Sequence, residues 1–313
     1  MKGKYSPLVI KTLIFIALFA CLDFVVGKVY RSMEYKALEK APYGMVTEYT
    51  MWKVNSDVII MGASEANHSY IPSLLEEKLG MTVYNCGKNG CRFYYQHAMI
   101  NGILDRYNPK LIIWSISPNE LCTPTEEDRG NLSKLNPFYY EKEFVNKALR
   151  TKSPFEPIKL LSNSYSFNSK LFYYLNYIYI SDEISEYGGY EPLYKKQKNL
   201  NIVEAEWNGN YDSTINDVFN KTIERCINQN VPVIFVFTPR FERENHDELE
   251  SYKKLKQSVN MYKIPIIEDL YHIDVLMKKE YFKDNAHLNH DGAIIFNNLL
   301  VEKLDSLLHS SMN

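Results

Sequence analysis

The strongest constraint on the fold is a regular alternation of short apolar runs and amphipathic segments that begins at Asp57. The first run, residues 58–61, reads Val-Ile-Ile-Met, and an unbroken apolar run of this length predicts a strand buried on both faces. The same pattern predicts four further strands, at residues 82–84, 111–116, 231–237 and 264–267. Helices are predicted between and after them, at 71–79, 92–107, 216–228, 249–259 and 290–308. Strands that alternate with helices predict an α/β fold with a five-stranded parallel sheet covered on both faces.

One long segment, residues 121–215, interrupts this alternation and lacks clean periodicity. It is too long to be a structureless loop in a compact domain. We therefore expect an insertion that is partly helical, at 141–149 and 169–177, and that covers the rim of the sheet where ligands bind. The insertion is rich in aromatic residues, in a chain with 25 Tyr and 15 Phe. Tyrosine suits a wet binding groove because it joins an apolar ring to a polar tip, although a general compositional bias explains the same numbers.

The N-terminus carries a separate apolar run over residues 12–26, which follows several lysines and is broken only by Asp23. With the residues before it, the run approaches the roughly 20 residues that span a bilayer. We predict an uncleaved membrane anchor over residues 1–30, because the apolar run continues past any cleavage site. A cleaved signal peptide and a lipid attached to Cys21 are the alternatives.

This interpretation divides the rest of the chain into a polar connector, residues 31–52, and a globular domain, residues 53–313. An apolar N-terminal segment after a basic start is typical of export, so we expect a single-pass membrane protein with its domain outside the cytoplasm. Basic residues flank the segment on both sides, and the positive-inside rule therefore leaves the orientation open. The net charge of -2 gives no electrostatic reason to expect nucleic-acid binding.

The first predicted strand runs directly into Gly62-Ala63-Ser64-Glu65. A serine at this point lies in the turn at the carboxyl edge of the sheet, where its small neighbours let a substrate carbonyl approach. The N-terminus of the following helix favours the negative charge that develops during attack. Serine is also a common helix cap, so this feature alone does not identify a nucleophile.

An aspartate and a histidine three residues apart, Asp284 and His287, precede the last predicted helix. A serine nucleophile needs a general base, and the base needs a carboxylate that fixes its tautomer and stabilises the imidazolium. The pair supplies both, although His287 read alone is equally an ordinary polar loop residue. Asn289 is predicted to cap the helix that follows. His68, four residues past Ser64, is expected to point away from the site and lie at the surface.

Two further loops begin at the carboxyl ends of predicted strands. The second strand leads into Gly87 and Gly90, and the third leads into Ser117-Pro118-Asn119. Backbone N–H groups and an asparagine amide are the components of an oxyanion hole. Each loop is also compatible with a simple turn, because Gly and Asn are favoured in turns for conformational reasons.

Taken in order, these segments resemble the sequence blocks of the SGNH/GDSL hydrolase family. Residues 62–65 resemble the first block, and the glutamate after the serine is similar to the branch that contains the DltD proteins of D-alanyl transfer to teichoic acids. Asn85 followed by Gly90 resembles the second block, residues 117–120 resemble the third, and residues 284–287 resemble the fifth. The insertion and the N-terminal segment lie outside the resemblance.

The resemblance implies a three-layer α/β sandwich around a flavodoxin-like sheet, and an ester-cleaving mechanism with an acyl-enzyme intermediate. It implies that Ser64 is the nucleophile, His287 the base and Asp284 its carboxylate partner. It also implies an oxyanion hole formed by the N–H groups of Ser64 and Gly90 and the amide of Asn119. No metal and no cofactor is implied, because an oxyanion hole replaces a Lewis acid in this chemistry.

The function implied by this resemblance and by the anchor is an extracytoplasmic esterase or O-acyltransferase. Its expected substrates are acyl esters, acetyl esters above all, of a cell-envelope polysaccharide, with envelope-polymer assembly proteins as candidate partners. Two alternatives stay open from the sequence. One is a catalytically silent scaffold that retains the fold, and the other is a lipase or thioesterase whose acyl channel is formed by the aromatic insertion.

Overall fold

The centre of the protein, in a computed structural model, is a parallel five-stranded sheet. The described residues are 7–168, 170–179, 187–194, 200–207, 209–243, 245–271 and 273–310. The strands of the sheet are β1 (Val58–Met61), β2 (Val83–Asn85), β3 (Leu111–Ile116), β4 (Val233–Phe237) and β5 (Ile266–Ile267). Every neighbouring pair is parallel, and the order is β2-β1-β3-β4-β5. This is the flavodoxin-like order, so the predicted fold class is confirmed.

Helices lie before, between and after these strands. In chain order they are α1 (Pro7–Lys40), α2 (Val46–Trp52), α3 (Ser64–Ser69), α4 (Pro72–Leu79), α5 (Phe93–Leu104), α6 (Glu126–Asn131), α7 (Glu143–Arg150), α8 (Glu156–Lys159), α9 (Asn163–Ser166), α10 (Lys170–Tyr179), α11 (Ser213–Asn228), α12 (Glu250–Tyr262) and α13 (His290–Ser310). The described residues also form two 3₁₀ segments, Leu132–Phe138 and Lys279–Tyr281, and a separate pair of two-residue strands, Val203–Glu204 and Glu242–Arg243.

The two faces of the sheet pack into separate apolar cores. Successive side chains of a strand point to opposite faces, so Ile59 and Met61 enter one core while Val58 and Ile60 enter the other. Helices α5, α11 and α12 cover the first face, and α3, α4 and α13 cover the second. Burial on both faces explains why the strands are apolar without interruption.

The segment predicted as an insertion, between β3 and α11, is built largely of short helices. The predicted helices at 141–149 and 169–177 correspond to α7 and α10. Helix α10 packs on the C-terminal half of α1, where Leu38 and Tyr174 share a small buried cluster. Further along, residues 187–194 return to the rim of the sheet, where the N–H of Glu191 donates to the Asn67 carbonyl at 2.9 Å. The insertion therefore connects α1 with the carboxyl edge of the sheet.

Helix α1 is long and apolar enough to cross a membrane, with a mean hydropathy of 2.4 in its most apolar window. Its first half exposes large apolar side chains such as Phe15, which is 68% accessible. Unlike these exposed side chains, Asp23 contacts the rest of the fold. Its carboxylate accepts hydrogen bonds from the Ser162 hydroxyl at 2.8 Å and from the Asn163 and Ser164 N–H groups at 2.7 and 2.9 Å. Such a helix is a membrane anchor or a signal sequence, and it continues without a break into the segment predicted as a connector.

Candidate active site

Three of the residues singled out in the sequence meet at the carboxyl edge of the sheet. Ser64 is the first residue of α3, directly after β1, and its hydroxyl donates to Nε2 of His287 at 2.8 Å. Nδ1 of the same ring lies 2.8 Å from Oδ1 of Asp284. The N-cap position of α3 belongs to Ala63, so the hydroxyl of Ser64 is not engaged in capping. The arrangement is a serine, a base and a carboxylate in hydrogen-bonded series.

The loop that carries Asp284 and His287 is braced by its own backbone. Oδ1 of Asp284 also accepts from the N–H groups of Ala286 at 2.9 Å and His287 at 3.0 Å. An isolated antiparallel bridge between Phe282 and Leu288 closes the loop. Both of these apolar side chains are fully buried. The carboxylate and the imidazole are therefore held in fixed positions before any substrate arrives.

The start of α13 fixes the far end of this loop. The side chain of Asn289 accepts from the Gly292 N–H at 3.0 Å and donates to the Glu280 carbonyl at 2.6 Å. The cap predicted at Asn289 is thus confirmed, because its amide oxygen satisfies an N–H that the first turn of a helix leaves unpaired.

The protonation states in the triad follow from opposing effects. Burial lowers the pKa of His287, but its hydrogen bond to Asp284 and the charge of Glu65 outweigh burial, and the pKa is raised above 6.5. Burial raises the pKa of Asp284, yet the hydrogen bond and charge of His287 lower it below 3.8. Nδ1 therefore carries a proton that it donates to the carboxylate, and Nε2 is the atom that accepts the proton of Ser64.

A charged cluster beside Ser64 was not expected from the sequence. Oε1 of Glu65 accepts from the Arg240 guanidinium at 2.8 Å, while the same guanidinium makes two bonds to Glu242, at 2.9 and 3.0 Å. Oε2 of Glu65 lies 3.3 Å from the Ser64 hydroxyl. Burial raises the pKa of the Glu65 carboxyl, but the charges of Arg240 and His287 outweigh burial and lower it. Glu65 is consequently ionised within hydrogen-bonding distance of the Ser64 hydroxyl.

The position of Arg240 in the sequence is itself a signal that it lies near the site. It follows β4 by three residues, at the same carboxyl edge as Ser64, and a polar residue just after a strand is the same signal that marks Ser64 and Asn119. Its charge partner, Glu65, is 175 residues away in the sequence. Only the parallel order of the sheet brings them together.

Asn119 is held by an unexpected cation. Arg92 donates to the carbonyl oxygen of Asn119 at 2.6 Å and to its side-chain Oδ1 at 2.9 Å, and the Ser117 hydroxyl also donates to Oδ1, at 3.1 Å. With its oxygen fixed in this way, the amide directs its N–H groups away from Arg92. The assignment of this amide to the oxyanion hole stays a prediction.

The loop after β2 has a supporting role that the sequence did not reveal. The side chain of Asn85 donates to the carbonyl oxygens of Ala66 at 2.7 Å and Tyr70 at 2.9 Å, and it accepts from the Gly87 N–H at 2.9 Å. The amide thus holds both ends of the short helix that starts with Ser64. Gly87 packs so closely on α3 that an added Cβ would lie 2.8 Å from the side chain of Ala66.

Gly90, the glycine selected as an oxyanion donor, lies on the insertion side of this loop. It adopts a φ of +67°, which favours glycine. An added Cβ would lie 2.5 Å from the amide nitrogen of Asn131, and the Gly90 carbonyl accepts from that amide at 2.8 Å. The contacts of Gly90 are thus with α6, and its assignment to the oxyanion hole stays a prediction.

The prediction that His68 lies at the surface is wrong, because its side chain is buried with 5% accessibility. Its ring meets that of His287 edge to face, with centroids 5.6 Å apart, and its Nδ1 lies 2.7 Å from the Glu191 carbonyl. Helix α3 is only six residues long, and residues 187–194 of the insertion cover the face that helical spacing would otherwise expose. Burial lowers the pKa of His68, so the neutral ring donates through Nδ1 to Glu191.

Comparison with known proteins gives only weak similarities. No family model matches this sequence, and none of the curated proteins matches it. Among solved structures, the chain is similar to a protein of Bacteroides fragilis described as an acylhydrolase, with 11% identity and a TM-score of 0.38 over 80% of this chain and 87% of that one. It is similar to the same degree to the lipase/acylhydrolase of Enterococcus faecalis, with 11% identity and a TM-score of 0.38 over 80% and 95%.

Proposed function

We propose that the protein is a membrane-anchored serine esterase or O-acyltransferase that acts on acyl esters of a cell-envelope polysaccharide. The observation that carries the proposal is the hydrogen-bonded series from Asp284 through His287 to Ser64, with both links at 2.8 Å. This is the geometry in which a histidine can take the proton of a serine during attack on a carbonyl. Its position, at the carboxyl edge where the strand order reverses between β1 and β3, is where open α/β sheets bind ligands.

The proposed reaction proceeds through an acyl-enzyme. His287 Nε2 takes the proton from Ser64 as its oxygen bonds to the ester carbonyl carbon. The N–H groups of Ser64 and Gly90 and the amide of Asn119 hold the negative oxygen of the tetrahedral intermediate. The ester C–O bond then breaks, and His287 returns its proton to the departing alcohol. In the second half, a water or an acceptor hydroxyl gives its proton to His287 and attacks the acyl carbon, and His287 returns that proton to the Ser64 oxygen as the bond from Ser64 to the acyl group breaks.

A cavity of about 490 Å³ beside α3 supports a glycan as the substrate. It adjoins the site at Asn67, and tyrosines form much of its wall: Tyr43, Tyr177, Tyr187, Tyr190 and Tyr194. Its volume is within the range of small-molecule sites. Tyrosine rings offer an apolar face to a sugar ring and a hydroxyl to its polar groups. The Tyr190 hydroxyl is 3.0 Å from Nδ1 of His290, the first residue of α13.

The attachment of α1 to the rest of the fold supports an uncleaved anchor. Asp23 accepts hydrogen bonds from residues at the start of α9, and Gly27 packs against the same helix. A Cβ added to Gly27 would come within 2.5 Å of the Asn163 side chain. Cleavage of a signal peptide after Asp23 would remove its carboxylate from this contact. We therefore infer that the helix is retained as an anchor and that the domain works beside the outer face of the membrane.

The test is active-site labelling of the full-length protein in detergent with a fluorophosphonate probe. Wild type should be labelled and Ser64→Ala should not. Ser69→Ala is the matched control, because this serine lies on the same helix, is fully buried, and its hydroxyl has no hydrogen-bond partner among the described residues. Labelling of Ser64→Ala at the wild-type level would exclude Ser64 as the nucleophile.

Hydrolysis of p-nitrophenyl acetate separates an enzyme from a scaffold with the same fold. We expect turnover that is lost in His287→Ala. Binding of a glycan without turnover by wild type would instead support the scaffold. Release of acetate with and without an added polysaccharide acceptor then distinguishes hydrolysis from transfer, since both reactions share the acyl-enzyme.

A further inference from the structure

A second cavity, of about 480 Å³, lies between α2, the 3₁₀ segment Leu132–Phe138 and the helices α9 and α10 of the insertion. We call it the four-lysine cavity, after the charged side chains in its wall: Lys88, Lys134, Lys152 and Lys170. Each of the four is half-buried. No aspartate or glutamate contributes to the wall within the described part of the chain. A cavity of this size with one sign of charge concentrates ligands of the opposite sign.

The charge of the cavity is only partly neutralised by its surroundings. The ammonium of Lys170 lies 2.9 Å from Glu48, and that of Lys152 lies 3.6 Å from Glu156. Lys134 bonds to the neutral side chain of Asn131. Neither Lys134 nor Lys88 forms an ion pair with any residue that the structure describes. Lys134 and Lys88 thus lack a direct ion-pair partner among the described residues, and the carboxylates that act on Lys88, Glu48 and Glu191, do so without contact.

The remaining wall offers groups that suit a saccharide. Tyr165 and Tyr173 present aromatic rings, and Ser133 and Asn168 add polar side chains. Asn136 is 6% accessible, and its amide oxygen has no hydrogen-bond partner among the described residues. The wall thus combines aromatic rings with polar side chains, and this combination suits a saccharide.

The four-lysine cavity is close to the candidate active site through Lys88. The backbone N–H of this residue donates to the carbonyl of Gly62 at 3.2 Å, two residues before Ser64. Its side chain lines both the four-lysine cavity and the tyrosine-lined cavity. A chain of sugars that fills both cavities would therefore pass next to the segment that carries Ser64.

We propose that the four-lysine cavity binds a phosphate or carboxylate group carried by a saccharide, so that the substrate is an acidic glycan. This assignment of the substrate class rests on the proposed esterase or transferase function, whereas the binding site itself does not require it. An ammonium group binds either anion as a point charge with up to three donors. The tyrosines and Asn136 account for a sugar in preference to a free anion.

Calorimetric titration of the full-length Ser64→Ala protein in phosphatidylcholine nanodiscs tests the proposal without turnover. Glucose 6-phosphate and glucuronic acid should bind, and glucose should bind at least tenfold more weakly. Lys134→Met should weaken binding of glucose 6-phosphate about tenfold, because the variant loses one charge-assisted hydrogen bond to the anion. Lys134→Arg should retain binding, and Lys254→Met, on α12 and outside the cavity, should leave it unchanged.

Three results would overturn the assignment. Equal affinity for glucose and glucose 6-phosphate would show that charge is not recognised. Unchanged binding in Lys134→Met would place the anion elsewhere. Displacement of glucose 6-phosphate when phosphatidylglycerol replaces phosphatidylcholine in the nanodiscs would identify a lipid headgroup as the ligand. Failure of the esterase proposal is distinguishable, because it would abolish neither the binding nor its dependence on Lys134.

Discussion

The carboxylate of Glu65 is placed to raise the pKa of the proposed base, and Glu65→Gln removes its charge with little change in shape. Glu65 Oε2 and His287 Nε2 lie 3.3 and 2.8 Å from the same hydroxyl oxygen of Ser64, so they are at most about 6 Å apart. Two unit charges at about 6 Å interact by roughly 0.7 kcal/mol at a dielectric constant of 80 and roughly 2.8 kcal/mol at 20. An interaction of this size raises the pKa of His287 by about 0.5 to 2. Because Arg240 opposes the effect, we expect the lower half of that range.

The assay is the pH dependence of kcat/KM for p-nitrophenyl acetate between about pH 5 and 9. His287 must be neutral to take the proton of Ser64, so activity rises as pH passes its pKa, which in wild type is above 6.5. Glu65→Gln should lower the midpoint of this rise by about 0.5 to 1 unit. Glu242→Gln, on the other side of Arg240, should move it less. A midpoint that stays in place or moves upward in Glu65→Gln would refute the electrostatic reasoning.

Three further substitutions test the supports of the site. Asp284→Asn should lower kcat about 10²- to 10⁴-fold, because the imidazolium of His287 loses its counter-charge. Urea unfolding of this variant should show a loss of stability well below that caused by truncating a buried apolar side chain. Asn85→Ala removes three buried hydrogen bonds and should lower the free energy of unfolding by about 2–4 kcal/mol, since each bond contributes roughly 1 kcal/mol; an unchanged urea midpoint would contradict that role. Asp23→Ala should release α9 from α1, and limited proteolysis should then cleave near Asn163 earlier than in wild type. Equal cleavage rates in the variant and wild type would argue against the contact.

The strands were predictable where burial on both faces leaves a purely apolar run. β1 and β3 begin and end at the predicted residues, 58–61 and 111–116. β5 is only Ile266–Ile267, although 264–267 was predicted. As the edge strand it pairs with β4 alone, so its length depends on where that neighbour ends. The residue at which β5 begins is therefore set by its pairing with a distant segment, and the apolar pattern of residues 264–267 does not show it.

The same distinction applies to the candidate site. Asp284 and His287 lie three residues apart, and Ser64 directly follows a strand, so their local sequence contains the signal. Arg240 and His68 acquire their contacts from tertiary packing alone. His68 faces the base because residues 187–194 of the insertion pack over α3, and no periodicity in the six residues of that helix predicts such a cover.

The insertion between β3 and α11 joins the parts of the molecule that would determine its substrate. Its helix α10 packs on α1, its residues line the four-lysine cavity, and its residues 187–194 contact α3 next to the triad. The sheet and the loop before α13 suffice to bring Ser64 to His287, and they use no residue of the insertion. An ester hydrolase with a short connection at this point would keep these three residues, but it would lack both the lysine-lined cavity and the contacts to α1. Under the proposed function, the sheet therefore determines the chemistry, and the insertion determines which polymer is bound and how far from the membrane it is cleaved or acylated.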